Sequence, residues 1–221
     1  SELLVNYNKR ATKQMQQADE INTKAAAYAM KHWCPTQSAN ILKTTGSARA
    51  TNVIGFSSQR KAVTKDDFIK VLNLMMRMNV SSLGGSWYGM LTADMYTDLL
   101  GIPEFVDYYK TGNTSKLEAG IIGRILGIDI YQRTVDAGHC GSLYNGSTPL
   151  DSDTKVTDSL YDGALFWNDK LVCRAEGALK TVVNENAPGY LGGTIIEAFC
   201  RFGADILRDD QKGVIVLLED K

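Results

Sequence analysis

The chain has 221 residues, 44% of them hydrophobic, and its 24 basic and 25 acidic side chains nearly cancel to a formal net charge of -1. That length suits one sizeable core, or one core with a smaller lobe, and the charge balance argues against a strongly basic nucleic-acid surface or an acidic tail. Its longest apolar runs, such as Ile195-Ile196 and 214–218, fall far short of the ~20 residues of a membrane span.

The first element is a long amphipathic helix over 1–33. Leu4, Tyr7, Ala11, Met15, Ala18, Ile21, Ala25, Ala29 and Trp33 recur every three or four residues, with Lys9, Arg10, Lys13, Gln16, Gln17, Glu20 and Lys24 between them. Cys34-Pro35 stops it, because the residue before a proline is pushed out of the helical region. A helix of about 28 residues is ~42 Å long, against a radius of gyration of roughly 17 Å for a compact chain of this length. It reads as a spine that crosses the whole molecule.

Residues 36–51, rich in Ser, Thr, Gly and Asn, read as an extended connection, 52–56 as a short strand and 57–64 as a polar, basic stretch. Thr64 is a good N-cap, and Asp66 and Asp67 sit in the first turn of a second helix, where they favour its dipole. Phe68, Leu72, Met75 and Met76 follow at helical spacing, and 81–85 ends the run. A buried strand is expected over 87–91, then a short helix over 93–100 capped by Thr92 and ended by Gly101. Pro103 opens another helical turn over 104–110, and 111–115 is a loop. Within the glycine-punctuated stretch 117–131, residues 124–131 are expected to be one strand.

Residues 134–158 form a long irregular region, functional or mobile by its length. An apolar element starts at 164–166 and is expected to run into a short helix over 168–175. Residues 179–183 and 192–207 alternate like strands, 209–213 is a polar turn, and 214–218 is a closing strand. The last two strands are expected to pair as a long antiparallel hairpin. A helix, a mixed middle and a strand-rich end argue for an α+β fold and against a doubly wound sheet.

The chemistry-bearing motifs are few. There is no P-loop, no GxGxxG after a strand, no GxSxG elbow and no HExxH. His32 and His139 are far apart. His139-Cys140 brings the two residue types of a Cys/His nucleophile together, but neighbours in sequence point in different directions, and the ordinary-loop reading is favoured. Asp151-Ser152-Asp153 resembles the start of a calcium loop without its third ligand or glycine, so it reads as a solvated turn. Asn113-Thr-Ser115 and Asn145-Gly-Ser147 match glycosylation sequons, but no secretory signal accompanies them. Cys34, Cys140, Cys173 and Cys200 share no CxxC spacing and read as free thiols. Lys9, Arg10 and Lys13, with Arg49, Arg60 and Lys61, are the only candidates for touching nucleic acid, and a solvated helix face is the favoured reading. No catalytic, cofactor-binding or metal-binding residue is assigned.

The order of the elements carries a resemblance. VNYNKRATKQMQQADEINTKAAAYAMKHWCP (5–35) is similar to the spine helix of major capsid proteins from tailed bacteriophages of the Hong Kong 97 type, nearest to those of phages, crAss-like ones included, that infect Bacteroidetes. TTGSARA (44–50), TKDDFIKVLNLMMRMNV (64–80), MLTADMYTDLL (90–100), LEAGIIGRILGIDIYQRT (117–134), GALFWNDKLVCRAEG (163–177) and PGYLGGTIIEAFCRFGADILRDDQKGVIVLLED (188–220) follow in the family's order. Each piece is degenerate alone; the ordered set is more specific.

The resemblance implies a non-enzymatic structural subunit of an icosahedral capsid shell, in a phage or prophage, that self-assembles around the DNA genome. It implies a peripheral (P) domain from 1–64 and 175–221 and an axial (A) domain from 65–174, with 134–158 at the axial tip or in a surface loop. Implied partners are copies of the chain in pentamers and hexamers, scaffold or decoration proteins, and packaged DNA held non-specifically. No membrane or cofactor is implied. The implied location is the virion, assembled in the bacterial host cytoplasm. The family's N-terminal arm and E-loop, which wrap neighbouring subunits, are not seen before the helix. Ser1 therefore reads as a cut edge and this chain as monomeric. Two alternatives share parts of the reading: an encapsulin-like compartment shell, and a small enzyme using His139, Cys140, Asp151 or Asp153 in the 134–158 loop.

Overall fold

The structure, a computed structural model, describes residues 9–80, 84–102, 123–135, 138–184 and 195–221. Its first element, α1 (Lys9–Trp33), is the expected long helix. A turn of 3-10 helix (Ser38–Asn40) leads into β1 (Ile41–Lys43), then β2 (Ala48–Arg49) and β3 (Arg60–Lys61), which pair with each other. The expected strand at 52–56 is a turn, with Phe56 N–H donating to the Val53 carbonyl (3.3 Å).

Helix α2 (Lys65–Arg77) begins as its sequence dictates. The Thr64 hydroxyl accepts from Asp67 N–H and the Asp67 carboxylate accepts from Thr64 N–H, a reciprocal capping box. Strand β4 (Trp87–Leu91) and helix α3 (Ala93–Leu100) follow. The Thr92 hydroxyl caps α3 by accepting from Met95 N–H (3.1 Å). The helical turn expected over 104–110 and the loop at 111–115 lie outside the described residues.

The strand expected over 124–131 is instead a hairpin: β5 (Gly123–Ile125) and β6 (Ile128–Gln132). Leu126 and Gly127 both take positive φ, 48° and 87°, as a tight two-residue turn requires. A small hairpin, β7 (Tyr144–Asn145) and β8 (Thr148–Pro149), stands inside the irregular region. Strands β9 (Gly163–Asn168), β10 (Val172–Glu176), β11 (Lys180–Asn184), β12 (Ile195–Phe199), β13 (Phe202–Ile206) and β14 (Val214–Leu218) complete the chain. The short helix expected over 168–175 is a turn followed by β10. Opposite that turn, Gly213 has φ 96°, and a Cβ on it would strike the Leu171 side chain.

Strands β1-β14-β9-β4-β6-β5 form a mixed six-stranded sheet. Its period-two alternation splits two cores. Leu42, Ile215, Leu217, Ala164, Phe166, Leu91, Ile128 and Ile130 face α2 and α3, where Phe68, Val71, Met75, Met95 and Leu99 complete the larger core. Ile41, Val216, Leu218, Leu165, Trp167 and Met90 face the other way, onto Met30, Trp33 and Cys34 at the end of α1 and onto Cys140 and Tyr144. Gly89 allows a close approach, because a Cβ there would sit 2.8 Å from the Phe166 ring.

Strand β14 does not pair with 192–207, as expected, but lies between β1 and β9. The hairpin forms elsewhere: β10 pairs with β13 and β11 with β12, making a two-stranded ribbon from 172–184 and 195–206. Being buried on both faces, β14 needs a neighbour on each edge, whereas the half-exposed 195–206 needs only one. Strands β1 and β14 belong to the same sheet as β4, β6 and β9.

Helix α1 lies against one face of the ribbon. Gln17 Nε2 donates to the Ile196 carbonyl (3.0 Å), Trp33 Nε1 donates to the Cys173 carbonyl (3.0 Å), and Tyr28 packs edge-on against Phe202. Ala27, Ala29 and Met30 are buried, but Met15, expected on the inner stripe, is 69% exposed.

Candidate functional site

The residues singled out for chemistry are built into the core or paired on the surface, and they do not form a cleft. His139 and Cys140 are fully buried. Gly141 N–H donates to His139 Nδ1 (3.1 Å), and the Cys140 thiol donates to the Gly163 carbonyl (2.9 Å). Burial lowers the His139 pKa and pushes the Cys140 thiol well up. A protonated thiol committed to a backbone carbonyl is a poor nucleophile. The imidazole next to it in sequence bonds elsewhere, so the pair is not a dyad. Residues 139–144 around them are all buried.

Asp151 pairs with Lys31 (2.7 Å), tying the second half of that region to α1, and Ser152 donates to Asp153 (3.5 Å). Among the described residues no group of three or more His, Cys, Asp and Glu side chains is placed to hold a metal ion. His32 stacks on Tyr28 with ring centroids 3.8 Å apart. Asn145 stands at an exposed turn, whereas Asn113 and Ser115 lie outside the described residues. Cys34, whose thiol burial pushes up to about 12, is buried like Cys140, and all four cysteines are free.

The basic residues tell a clearer story. Arg49 donates from Nε to both Asp98 carboxylate oxygens (2.9 Å each) and from Nη2 to Glu219 (2.8 Å), with Asp94 at 3.5 Å from Nη1. Asp94 also accepts from Thr51 Oγ1, Asn52 N–H and Asn52 Nδ2 at 2.6–2.9 Å. Lys61 and Lys43 both reach Asp220, at 2.6 and 3.0 Å. Arg60 is fully buried, its guanidinium 4.0 Å from the centre of the Phe56 ring. Arg49 and Arg60, expected as candidates for nucleic acid, are therefore spent inside the molecule, and Lys61, partly exposed, is paired with Asp220. The side chains of Lys9 and Arg10 lie outside the described residues, and Lys13 is exposed.

These contacts turn the connection 44–63 into a polar strap. Asp67 accepts from Thr45 N–H and Oγ1, Asp98 from Val63 N–H, and Asp158 from Ser57 and Ser58 N–H. Burial alone would raise Asp94 and Asp67, yet the bonds to each outweigh it and hold both carboxyls below the usual value. Sequence reasoning missed this network. Its one legible signal was the spacing of Asp94 and Asp98, four apart on one face of a short helix.

What remains open to solvent is the outer face of the ribbon. The register places Lys180 beside Phe199 and Val182 beside Glu197 on that face, while Val183 and Ile196 turn towards α1. Val182 is 48% and Phe199 51% exposed. A groove of about 690 Å³ runs between α1 and 152–156, with Ile54 at its rim. Lys24, also on its wall, pairs with Glu20 at 3.0 Å. No helix among the described residues is long and apolar enough to cross a membrane.

No protein-family model matches the chain, and no curated protein does. Solved structures do match. A chain from Mycobacterium phage Che8 is 16% identical over 96% of this chain and 63% of its own, with a TM-score of 0.53. A capsid chain of Ralstonia phage GP4 is 12% identical over 96% of this chain and 67% of its own, with a TM-score of 0.58. A capsid chain of Cyanophage P-SCSP1u is 15% identical over 96% and 65%, with a TM-score of 0.53. The chain spans about two thirds of the length of these structures. It shares their mixed helix-and-sheet fold, and the likeness reaches across phages named for unrelated hosts.

Proposed function

We infer that the chain is a structural subunit of a phage or prophage capsid shell of the Hong Kong 97 type. The observation that carries this reading is the fold likeness over 96% of the chain to capsid structures of phages. The long helix laid along a two-stranded ribbon, beside a separate two-faced sheet, supports it. So does the burial of His139 and Cys140, the two side chains with which an enzyme site in 134–158 would have to begin.

In this reading the domains follow the hydrogen bonding. Helix α1 with the ribbon over 172–206 forms the peripheral part. The six-stranded sheet with α2 and α3 forms the axial part, β1 and β14 included. Copies of the chain are the principal partners, in pentamers and hexamers. Scaffold or decoration proteins and non-specifically held DNA come second. The location is the virion, after assembly in the host cytoplasm.

Negative-stain microscopy of the full-length gene product tests the reading. Shells, rings or tubes are the expected outcome. A discrete small monomer under every condition overturns it.

A further inference from the structure

The strap 44–63 meets the end of β14 over a cluster of charges that do not balance. Four buried or nearly buried carboxylates, Asp94, Asp98, Asp162 and Glu219, share two guanidiniums, Arg49 and Arg60. Arg49 serves Asp94, Asp98 and Glu219 directly. Asp162 has no such partner. Its Oδ1 accepts from Gly163 N–H (2.9 Å), the Cys140 backbone N–H also faces the carboxyl, and its Oδ2 is buried with no hydrogen-bond partner within 3.5 Å. Glu219 Oε2 and Arg60 Nε and Nη1 are likewise buried without one. Asp162 and Glu219 are joined through their backbones, Glu219 N–H donating to the Asp162 carbonyl at 2.8 Å.

The other groups around Asp162 do not restore the balance. On its own loop, Tyr161 and Asp158 face Arg60. From the packed segment below come the thiols of Cys140 and Cys34 and the phenol of Tyr144, all neutral where burial raises them. His139, next to Cys140, is held neutral by burial. From β1 and β3, Lys43 and Lys61 are taken by Asp220, and Lys221 lies over the Tyr161 ring.

We propose that Asp162 is the acid of a proton-controlled latch: with its proton it lets the strap and the end of β14 close over it, and without its proton it adds an uncompensated buried charge that loosens them. Burial and the charge of Glu219 both push its carboxyl well above the usual range, in agreement with the geometry. An acid whose folded pKa is raised stabilises the fold fully below its unfolded value, about 3.9, and loses that contribution as pH rises to the folded value.

The test compares wild type with Asp162→Asn, whose amide mimics the neutral acid, by denaturant unfolding from about pH 4 to pH 9. The ratio of their folding constants is expected to fall about tenfold per pH unit above pH 4 or so, until Asp162 ionises in the fold, and then to level. A ratio independent of pH overturns the proposal. Should the variant not fold, the carboxyl ¹³C resonance of Asp162 in wild type decides. A protonated shift at neutral pH supports the latch, and an ionised shift already at about pH 5 sinks it.

Discussion

The six-stranded sheet and the ribbon over 172–206 are both built largely from antiparallel pairs, yet they treat their side chains in opposite ways. All five residues of β14 are buried, and the sheet meets a separate apolar core on each face. In the ribbon, only the face towards α1 is covered, and Val182 and Phe199 stay about half exposed on the other. Strand pairing is thus the same device in both places. What differs is what lies on the second face: α2 and α3 complete the sheet, while the outer face of the ribbon has no partner within the described chain. The sheet is the part that stabilises the fold, and the ribbon is the part that remains available for contact.

If that division is right, truncating Phe166 has the largest effect. Its ring is fully buried, packed on Gly89 and edge-on to Phe68 at 6.2 Å. Phe166→Ala is expected to cost about 3–5 kcal/mol, lowering Tm by roughly 10 °C or more in a thermal melt. A loss no larger than that of a ribbon residue breaks the comparison.

Arg49→Ala comes next, at about 3 kcal/mol in denaturant unfolding, because it leaves Asp94, Asp98 and Glu219 facing one another under the strap. Its pH dependence has a definite sign. The Asp94 carboxyl lies below its usual value, burial pushing it up and the bonds from Asn52, Thr51 and Arg49 pulling it further down. Such a group stabilises the fold above its unfolded pKa, about 3.9, and loses that contribution as pH falls through the folded value. The deficit of Arg49→Ala is therefore expected to shrink towards acid pH. A deficit that is constant from neutral to acid pH means the side chain acts by packing alone.

The sheet and the ribbon also differ in how much of them could be read from the sequence. Helices α1, α2 and α3 and strand β4 were legible because each carries its own signal: a 3.6-residue period, a Thr cap, a short apolar run. Pairing was not legible. Alternation marks 195–206 and 214–218 as strands but says nothing of partners, so the two were joined across the nearest turn, although β14 needed a neighbour on each edge. The turn at Leu126-Gly127 was missed because a leucine rarely accepts positive φ. The strap was missed because its order comes from carboxylates distant in sequence: Asp67, Asp94, Asp98, Asp158, Glu219 and Asp220. A segment rich in Ser, Thr, Gly and Asn does not announce who will bind it.

Smaller effects sharpen the comparison. Trp33→Phe removes the indole N–H that donates to the Cys173 carbonyl, one of the contacts between α1 and the ribbon. It is expected to cost about 1 kcal/mol. Hydrogen exchange should show the loss of protection in β10 and β13 and not in β14. Leu126→Asn acts in the other direction. It replaces a leucine strained at φ 48° with a side chain that tolerates the left-handed region, creating the Asn-Gly turn favoured in tight hairpins. A gain of about 1 kcal/mol in denaturant unfolding is expected; no gain means the turn relaxes when Leu126 is present.

The smallest effect on stability is expected where the effect on assembly is largest. Val182→Ser with Phe199→Ser changes two exposed side chains whose strand neighbours on that face are Glu197 and Lys180. Nothing in the described chain packs over this face, so the double variant should unfold within about 0.5 kcal/mol of wild type. In the full-length gene product the same face offers exposed apolar area, and two hydroxyls there remove what a neighbouring copy would bury. Shells of wild type and none of the double variant, at equal stability, separate a contact face from a folding face. Equal assembly by both proteins moves the contact surface off the ribbon, to the groove beside Ile54.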